Sequence, residues 1–199
     1  MKIVVGISGA TGAIYGIRTL EVLNKLGIET HLVMSDAGRR TIELETNYHI
    51  KTVESLATKV HPNHDIGAAI SSGSFKTDGM IIAPCSIKSL SGIANSYNDN
   101  LLTRAADVVL KERRKLVMVV RETPLHVGHL KLMTTVAELG AIILPPMPAY
   151  YHLPQTIDDI INQTVGKVLD QFGVEHNLFA RWEGAEKIVK GKKEKLACG

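Results

Sequence analysis

The chain opens with the stretch Met1-Lys-Ile-Val-Val-Gly6-Ile-Ser-Gly9-Ala-Thr-Gly12-Ala13. Residues 2–6, which are all apolar after Lys2, predict a strand that is buried on both faces, as in a parallel sheet. The glycines predict a tight turn, and the apolar stripe from Ala13 to Leu26 predicts a helix with Gly27 as its C-cap. The first turn of a helix has unpaired N–H groups, so this junction predicts a site for a phosphorylated ligand.

The glycine spacing in this turn is G-x-x-G-x-x-G, whereas dinucleotide-binding folds use G-x-G-x-x-G. Ser8 and Thr11 add hydroxyl groups that could donate to a phosphate. The alternative is that the glycines serve only close packing between elements. A reductase that binds NADP is disfavoured, because Gly16 lies one residue out of register and the chain contains no Tyr-x-x-x-Lys pair.

Further along the chain, apolar runs alternate with helical patterns and no hairpin signal occurs. Five strands are predicted, at residues 2–6, 29–34, 79–83, 115–120 and 141–144. The alternation predicts an α/β fold with one doubly wound (Rossmann-like or flavodoxin-like), mostly parallel sheet and helices on both faces. One domain is expected over residues 1–185, followed by a lysine-rich tail at 186–199 that we expect to be mobile.

Parallel sheets bind ligands outside the carboxyl ends of their strands. Hydroxyl groups and charges follow several predicted strands, at Ser35, at Pro84–Ser89 and at Arg121-Glu122. The cluster Ser71–Ser74 either forms a phosphate-accepting turn or is a plain loop. Arg104 and Lys111 lie on one side of a predicted helix, where they form either a surface ion-pair ladder or a pair of cations for a phosphate.

Composition excludes several classes of function. Five lysines and two glutamates after Ala185 account for the whole net charge of +3, so residues 1–185 have no basic excess and nucleic-acid binding is not expected. No apolar run is long enough to cross a membrane, and two cysteines make no disulfide framework, so we expect a cytoplasmic protein. Cys85 is interpreted as a packed residue.

No metal site is predicted. His61 and His64 flank a proline, and no third ligand lies at a fixed offset, so the segment His61–His64 is interpreted as a solvated loop. His126 and His129 likewise lack a third ligand and are interpreted as polar residues of a helix.

Taken together, several segments resemble the flavin prenyltransferase family, the UbiX-like flavoproteins that include components of phenolic acid decarboxylases. The resemblance covers residues 3 to about 183. It rests on Gly9-Ala-Thr-Gly12, Glu43-Leu-Glu45-Thr46, Ser72-Gly73-Ser74, Pro84-Cys-Ser86, Arg104-Ala-Ala-Asp107, Lys111-Glu112-Arg113, Arg121-Glu122-x-Pro124, Pro145 to Tyr151, and Lys167.

The resemblance implies an enzyme that transfers a dimethylallyl group from dimethylallyl phosphate to reduced FMN. The product, prenylated FMN, would serve a partner decarboxylase, and a large homo-oligomer is implied. The FMN contacts implied are Gly9, Ala10, Thr11, Ser35, Ser86, Ile87, Lys88, Ser89 and Arg121. The prenyl phosphate contacts implied, partly across an interface between subunits, are Ser72, Arg104, Lys111, Arg121, Glu122, Tyr151 and Lys167. Of these, Lys111, Glu122, Tyr151 and Lys167, together with Glu45, are the implied catalytic residues, and Glu45 would assist the later bond-forming or proton-transfer steps.

These residue types suit that chemistry, because Arg and Lys stabilise a departing phosphate as charge-assisted donors. The only clustered aspartates, Asp158-Asp159, lie inside a predicted helix, which favours a metal-independent monophosphate site. One departure from the family pattern is Ile66, which stands where some members carry a tryptophan. Three alternatives are an FMN-dependent decarboxylase of the cysteine-decarboxylase class, an NAD(P)-binding reductase, and direct decarboxylation of aromatic acids.

Overall fold

We analysed a computed structural model of the protein, which describes residues 1–185. The predicted mobile tail at 186–199 lies outside the described residues. Among residues 1–185, no helix is long and apolar enough to span a membrane. In the same part of the chain, no group of three or more His, Cys, Asp or Glu side chains is placed to hold a metal ion.

The centre of the molecule is a six-stranded sheet in which every neighbouring pair is parallel. Its strands are β1 (Lys2–Ile7), β2 (Glu29–Met34), β3 (Lys59–His61), β4 (Gly79–Cys85), β5 (Lys115–Val120) and β6 (Ile142–Ile143). Their order across the sheet is β3-β2-β1-β4-β5-β6. The chain first builds outward from β1 to β3 and then returns to the other side of β1. The carboxyl ends of β1 and β4 therefore flank the switch point where such sheets bind ligands.

Among residues 1–185, seven α-helices connect and follow the strands. They are α1 (Ala13–Lys25), α2 (Asp36–Glu45), α3 (Ile50–Ser55), α4 (Ile87–Ala94), α5 (Leu101–Lys111), α6 (Val127–Glu138) and α7 (Ile157–Asp170). A capping box at Thr156 and Asp159 starts α7, as Thr156 and the acidic first turn predict. The predicted α1 and the predicted N-cap at Ser35 are both confirmed.

The core consists of two layers, one on each face of the sheet. Successive residues of β1 point to opposite faces, so Val5 joins α1 and α7 in one layer while Val4 joins α4 and α5 in the other. Both residues are fully buried or nearly so. This double coverage explains why the strands appear as continuous apolar runs, and it confirms the doubly wound fold.

The sequence missed the edge strand β3. Three residues of β3 pair with β2, in the register His31↔Lys59, Leu32↔Val60 and Val33↔His61. The interpretation of His61–His64 as a solvated loop was therefore wrong for His61, which is 3% exposed. Its Nε2 lies 2.8 Å from Nδ1 of His31, and this buried pair fixes β3 to β2. A three-residue strand is too short to show any periodicity.

Candidate active site

A cavity of about 600 Å³ opens at the carboxyl ends of the strands, at the switch point of the sheet. This volume lies in the range of small-molecule and cofactor sites. It is lined by Gly9, Ala10, Thr11, Ser35, Asp36, Ala37, Asn63, Ser86, Ile87, Lys88, Asp99, Asn100, Arg121 and Glu122. Eight of the nine residues predicted to contact FMN are in this set. The ninth, Ser89, lies behind the wall, with its backbone N–H donating to Oγ of Ser86.

The glycine turn after β1 forms one wall of the cavity. A Cβ atom on Gly9 would lie 2.3 Å from Cβ of Ala37 in α2, so only glycine allows this approach. Gly12 has φ of +97°, a left-handed conformation that glycine adopts without strain, and α1 begins at the next residue. The turn and the start of α2 therefore form one tightly packed unit.

The N-terminus of α1 is occupied by the chain's own carboxylate. Oε2 of Glu45 accepts hydrogen bonds from the backbone N–H groups of Gly12 (2.7 Å) and Ala13 (3.3 Å). The sequence predicts an anion at this junction, and an anion is there, but it belongs to α2 and not to a ligand. The prediction that these first-turn N–H groups are open to a phosphate was wrong. Glu45 itself is exposed and does not line the cavity.

Ser8 does not face the cavity, which corrects its assignment as a phosphate donor. It is fully buried, and its hydroxyl donates to the carbonyl of Pro84 (3.0 Å) and accepts from the N–H of Ser86 (2.8 Å). These bonds connect the end of β1 to the end of β4. Ser8 therefore holds Ser86 in place beside the glycine turn.

Two helices begin at the cavity with serine N-caps. Oγ of Ser35 accepts from the N–H of Gly38 (3.0 Å) at α2, and Oγ of Ser86 accepts from the N–H of Ser89 (3.2 Å) at α4. The residues that follow each cap, at 36–37 and 87–88, also line the cavity. The positive ends of two helix dipoles thus meet one space, which favours an anionic ligand.

Among the described residues, Arg121 supplies one of the two full positive charges that line this space, the other being Lys88. It follows β5, and its backbone N–H donates to the carbonyl of Cys85 (3.1 Å), which fixes it beside the end of β4. Burial raises the pKa of Tyr15, and the charge of Arg121 and a hydrogen bond with Thr164 oppose that rise. No carboxylate among residues 1–185 lies within 4.0 Å of Arg121 as a salt-bridge partner. Its charge is therefore available to a ligand.

The remaining residues of the predicted prenyl phosphate site lie elsewhere in the single chain. Arg104 pairs with Asp107 (3.1 Å) and donates to the carbonyl of Ser71 (3.2 Å). Lys111 forms an ion pair with Glu112 at the other end of α5. Arg104 and Asp107 thus form part of the ion-pair ladder left open by the sequence, whereas Lys111 pairs with Glu112 and not with Asp107. Both cations lie next to the loop that contains Ser72. None of these side chains lines the cavity.

Tyr151 and Lys167 lie in a third region of the chain, away from both the cavity and α5. Tyr151 follows the proline segment and contacts the Trp182 ring edge-on, with 5.7 Å between ring centroids. Lys167 lies on α7, with Nζ 3.7 Å from Asp170. Within one chain, therefore, only Arg121 and Glu122 of the predicted phosphate set reach the cavity.

Five lining residues were not predicted, namely Asp36, Ala37, Asn63, Asp99 and Asn100. Asn63 lies just after the unpredicted strand β3, in the segment interpreted as a solvated loop. Asn100 is the N-cap of α5 and accepts from the N–H of Thr103. The sequence signal available was that cap motif, Asn100 before the apolar pattern of α5.

A family model described as Flavoprotein matches residues 1–169. The flavin prenyltransferase UbiX of Thauera aromatica is 65% identical over 186 residues, which is 94% of this chain and 96% of that protein. The chain belongs to the UbiX-like flavin prenyltransferase family. The predicted resemblance is confirmed.

Two solved structures are close in both sequence and shape. A dodecameric FMN-dependent UbiX-like decarboxylase from Escherichia coli O157:H7 is 53% identical with a TM-score of 0.91, and the match covers 92% of this chain and 100% of that one. AnUbiX (PadA1), solved with FMN and dimethylallyl pyrophosphate, is 50% identical with a TM-score of 0.91, covering 92% of this chain and 97% of that one.

Proposed function

We propose that this protein is a flavin prenyltransferase, which moves a dimethylallyl group from dimethylallyl phosphate to reduced FMN. The carbon–oxygen bond of the donor breaks and phosphate leaves, and the two ends of the allylic unit form bonds to N5 and C6 of the flavin, which closes a fourth ring. The proton displaced from N5 passes to the departing phosphate, and the proton displaced from C6 passes to the middle carbon of the allylic unit. The observation that carries the proposal is the cavity at the switch point, where two helix N-termini and an unpaired arginine meet in a member of this family. The prenylated flavin would serve a partner decarboxylase. A cytoplasmic location stays a prediction.

The hydrogen-bond donors and the positive charge around the cavity match the chemical groups of FMN. The N-termini of α2 and α4 and the guanidinium of Arg121 suit the phosphate and the electron-rich carbonyl groups of a flavin. The Ile87 side chain provides an apolar surface for the ring system. We assign Gly9, Ala10, Thr11, Ser35, Ser86, Ile87, Lys88, Ser89 and Arg121 to FMN binding.

The prenyl phosphate site requires more than one copy of the chain. Arg104 and Lys111 lie on α5, Lys167 lies on α7, and neither group reaches the cavity of its own subunit. A homo-oligomer can bring one subunit's cations to another's cavity, and the dodecameric relative supports such an assembly. We assign Ser72, Arg104, Lys111, Arg121, Glu122, Tyr151 and Lys167 to this composite site.

Mixing two inactive variants tests the composite site. Arg104→Ala and Lys167→Ala, dissociated and reassembled together in equal amounts, should recover about a quarter of the wild-type rate if the two cations come from different subunits. No recovery after mixing, with reassembly verified by size-exclusion chromatography, would place both cations on one subunit's side of the site.

The main experiment is anaerobic. Purified protein with reduced FMN and dimethylallyl phosphate should yield a flavin heavier by one prenyl unit, measured by mass spectrometry. Unmodified FMN would refute the proposed function. Two further comparisons test the predicted preference for the monophosphate without metal. The first replaces the donor with dimethylallyl pyrophosphate, and the second adds either EDTA or Mg²⁺ to the reaction.

Lys167→Ala should impair transfer more than FMN binding, because Lys167 does not line the cavity. Its ion pair with Asp170 is exposed and contributes little to stability. Lys51→Ala, an exposed lysine on α3, is the matched control and should behave as wild type. Equal loss of binding and transfer in Lys167→Ala would overturn this division of the site.

Glu45 is assigned to the later bond-forming or proton-transfer steps. Glu45→Gln keeps an oxygen that can accept from the N–H of Gly12, so α1 should keep its cap and FMN should still bind. It loses the charge and the proton-accepting group, so product formation should slow. If Glu45→Gln forms product at the wild-type rate, the role of Glu45 is only to cap the helix.

A further inference from the structure

At the cavity wall beside α5, the N–H groups of the first three residues of the helix all have acceptors within the chain. The N–H of Leu101 donates to the carbonyl of Asn63 (2.7 Å), and that of Leu102 donates to Oδ1 of Asn63 (3.1 Å). The N–H of Thr103 donates to Oδ1 of Asn100 (3.1 Å). This helix therefore differs from α2 and α4, because what it presents to the cavity is side chains and not backbone amides.

The hydrogen bond from Leu102 fixes the orientation of the Asn63 amide. Oδ1 must face the helix to accept from the N–H of Leu102, so Nδ2 is the end that remains for the cavity. No atom among residues 1–185 accepts a hydrogen bond from this Nδ2, and it is not a buried atom. Asn63 therefore offers one oriented donor.

Asp99 offers the complementary acceptor. Nδ2 of Asn100 donates to Oδ1 of Asp99, which commits both polar ends of Asn100 and one oxygen of Asp99. Oδ2 of Asp99 has no hydrogen-bond partner among the described residues, and Asp99 lines the same cavity as Asn63. A carboxylate oxygen only accepts, and an amide nitrogen only donates.

A donor and an acceptor on one wall are what a hydroxyl group requires, because a hydroxyl both accepts and donates. We propose that Asn63 and Asp99 recognise the hydroxyl groups of the ribityl chain of FMN and so determine the specificity of this site for its flavin. This inference rests on the proposed function. The phosphate and the ring system are served by the other walls, whereas this wall presents the amides of Asn63 and Asn100 and the carboxylate of Asp99.

The test uses two ligands, FMN and an analogue in which a saturated five-carbon chain carrying the same phosphate replaces the ribityl chain. Binding is measured by quenching of flavin fluorescence. The wild type should bind the analogue at least about tenfold more weakly than FMN, since two hydrogen bonds are lost and one of them is to a charge.

Two variants remove one partner each. Asn63→Asp keeps an oxygen for the N–H of Leu102 and loses the donor, so FMN binding should weaken about fivefold. Asp99→Asn keeps an oxygen for Asn100 and loses the free acceptor, so FMN binding should weaken about tenfold. Neither variant should change the affinity for the analogue by more than about twofold, and the apo protein should melt at an unchanged temperature.

Three other outcomes would refute either hydroxyl recognition or the proposed function. Equal weakening of both ligands would mean that the variants act through general charge or folding and would refute hydroxyl recognition. A wild type that binds the analogue as tightly as FMN would refute it as well. A wild type that binds no flavin would refute the proposed function first, and the inference with it.

Discussion

Gly9→Ala tests whether the contact between the glycine turn and α2 shapes the cavity. The added Cβ would lie 2.3 Å from Cβ of Ala37, with two backbone atoms of Ala37 at 3.2 and 3.3 Å. Carbon atoms pack best at about 3.5–4.0 Å, so the turn and α2 must separate by about 1–2 Å. Both residues line the cavity, so its wall moves by the same amount.

The cost follows from the packing. Overpacking of this kind costs about 1–3 kcal/mol, and the loss of glycine's freedom in the unfolded chain returns about 0.4–1 kcal/mol. We therefore expect a net loss of about 1–2 kcal/mol in the free energy of unfolding. A shift of about 1 Å in a binding wall should weaken FMN binding by about 10- to 100-fold. Urea denaturation of the apo protein and fluorescence quenching measure the two effects.

A matched control and a rescue make the test decisive. Gly67→Ala adds the same methyl group in an exposed loop, where the nearest heavy atom is 3.4 Å away. It should leave FMN affinity unchanged and raise the free energy of unfolding by no more than about 0.4–1 kcal/mol. Ala37→Gly removes the clashing methyl group, so the double variant with Gly9→Ala should recover most of the FMN affinity. Its free energy of unfolding should still be lower by about 0.5–1 kcal/mol, which is the cost of glycine in a helix. If Ala37→Gly gives no recovery, the contact does not control the cavity and the reasoning fails.

Three further predictions concern buried groups. Ser8→Ala deprives the N–H of Ser86 of its acceptor and should lower the free energy of unfolding by about 1–3 kcal/mol in urea denaturation, whereas an unchanged midpoint would contradict the bridge between β1 and β4. Burial, aided by the neighbouring histidine and lysine charges, lowers the pKa of His61, so the unfolded chain binds a proton at this site at higher pH than the folded chain, and the free energy of unfolding should decline as pH falls below about 6.5. His61→Asn should flatten that decline between about pH 5 and 7.5, and an identical slope in the variant would refute the assignment. Burial raises the pKa of Cys85 to about 12, so iodoacetamide at pH 8 should not alkylate the Cys85 thiol in the native protein and should alkylate it in denaturant. Rapid labelling of the native protein would contradict this prediction.

The fold was accessible from the sequence because its signals are local. Buried parallel strands are continuous apolar runs, and the helices between them have caps such as Ser35, Asn100 and Thr156 that act within three residues. β3 was missed because a strand of three residues at the edge of a sheet is defined by its pairing with β2, which depends on residues about 28 positions away.

The site was only partly accessible for the same reason. The wall residues at 9–11, 35, 86–88 and 121–122 follow strands directly, so knowing the strands places them together at one edge of the sheet. Asn63 and Asp99 reach that edge through contacts with the start of α5, which no sequence spacing reveals. The cations at 104, 111 and 167 lie away from the cavity of their own chain, and in our proposal an assembly brings them to the cavity of another subunit.

The sequence by itself determined five of the six described strands, the doubly wound fold, the class of ligand and the family, because each depends on residues close together in the chain or on motifs that recur as a set. Tertiary structure alone decided which groups fill the positions at the sheet edge. Glu45 shows the difference: the glycine turn predicts an anion at α1, but the anion that binds there is a carboxylate 33 residues away. Backbone N–H groups donate to any suitable oxygen, and only the folded chain determines which oxygen lies within hydrogen-bond distance.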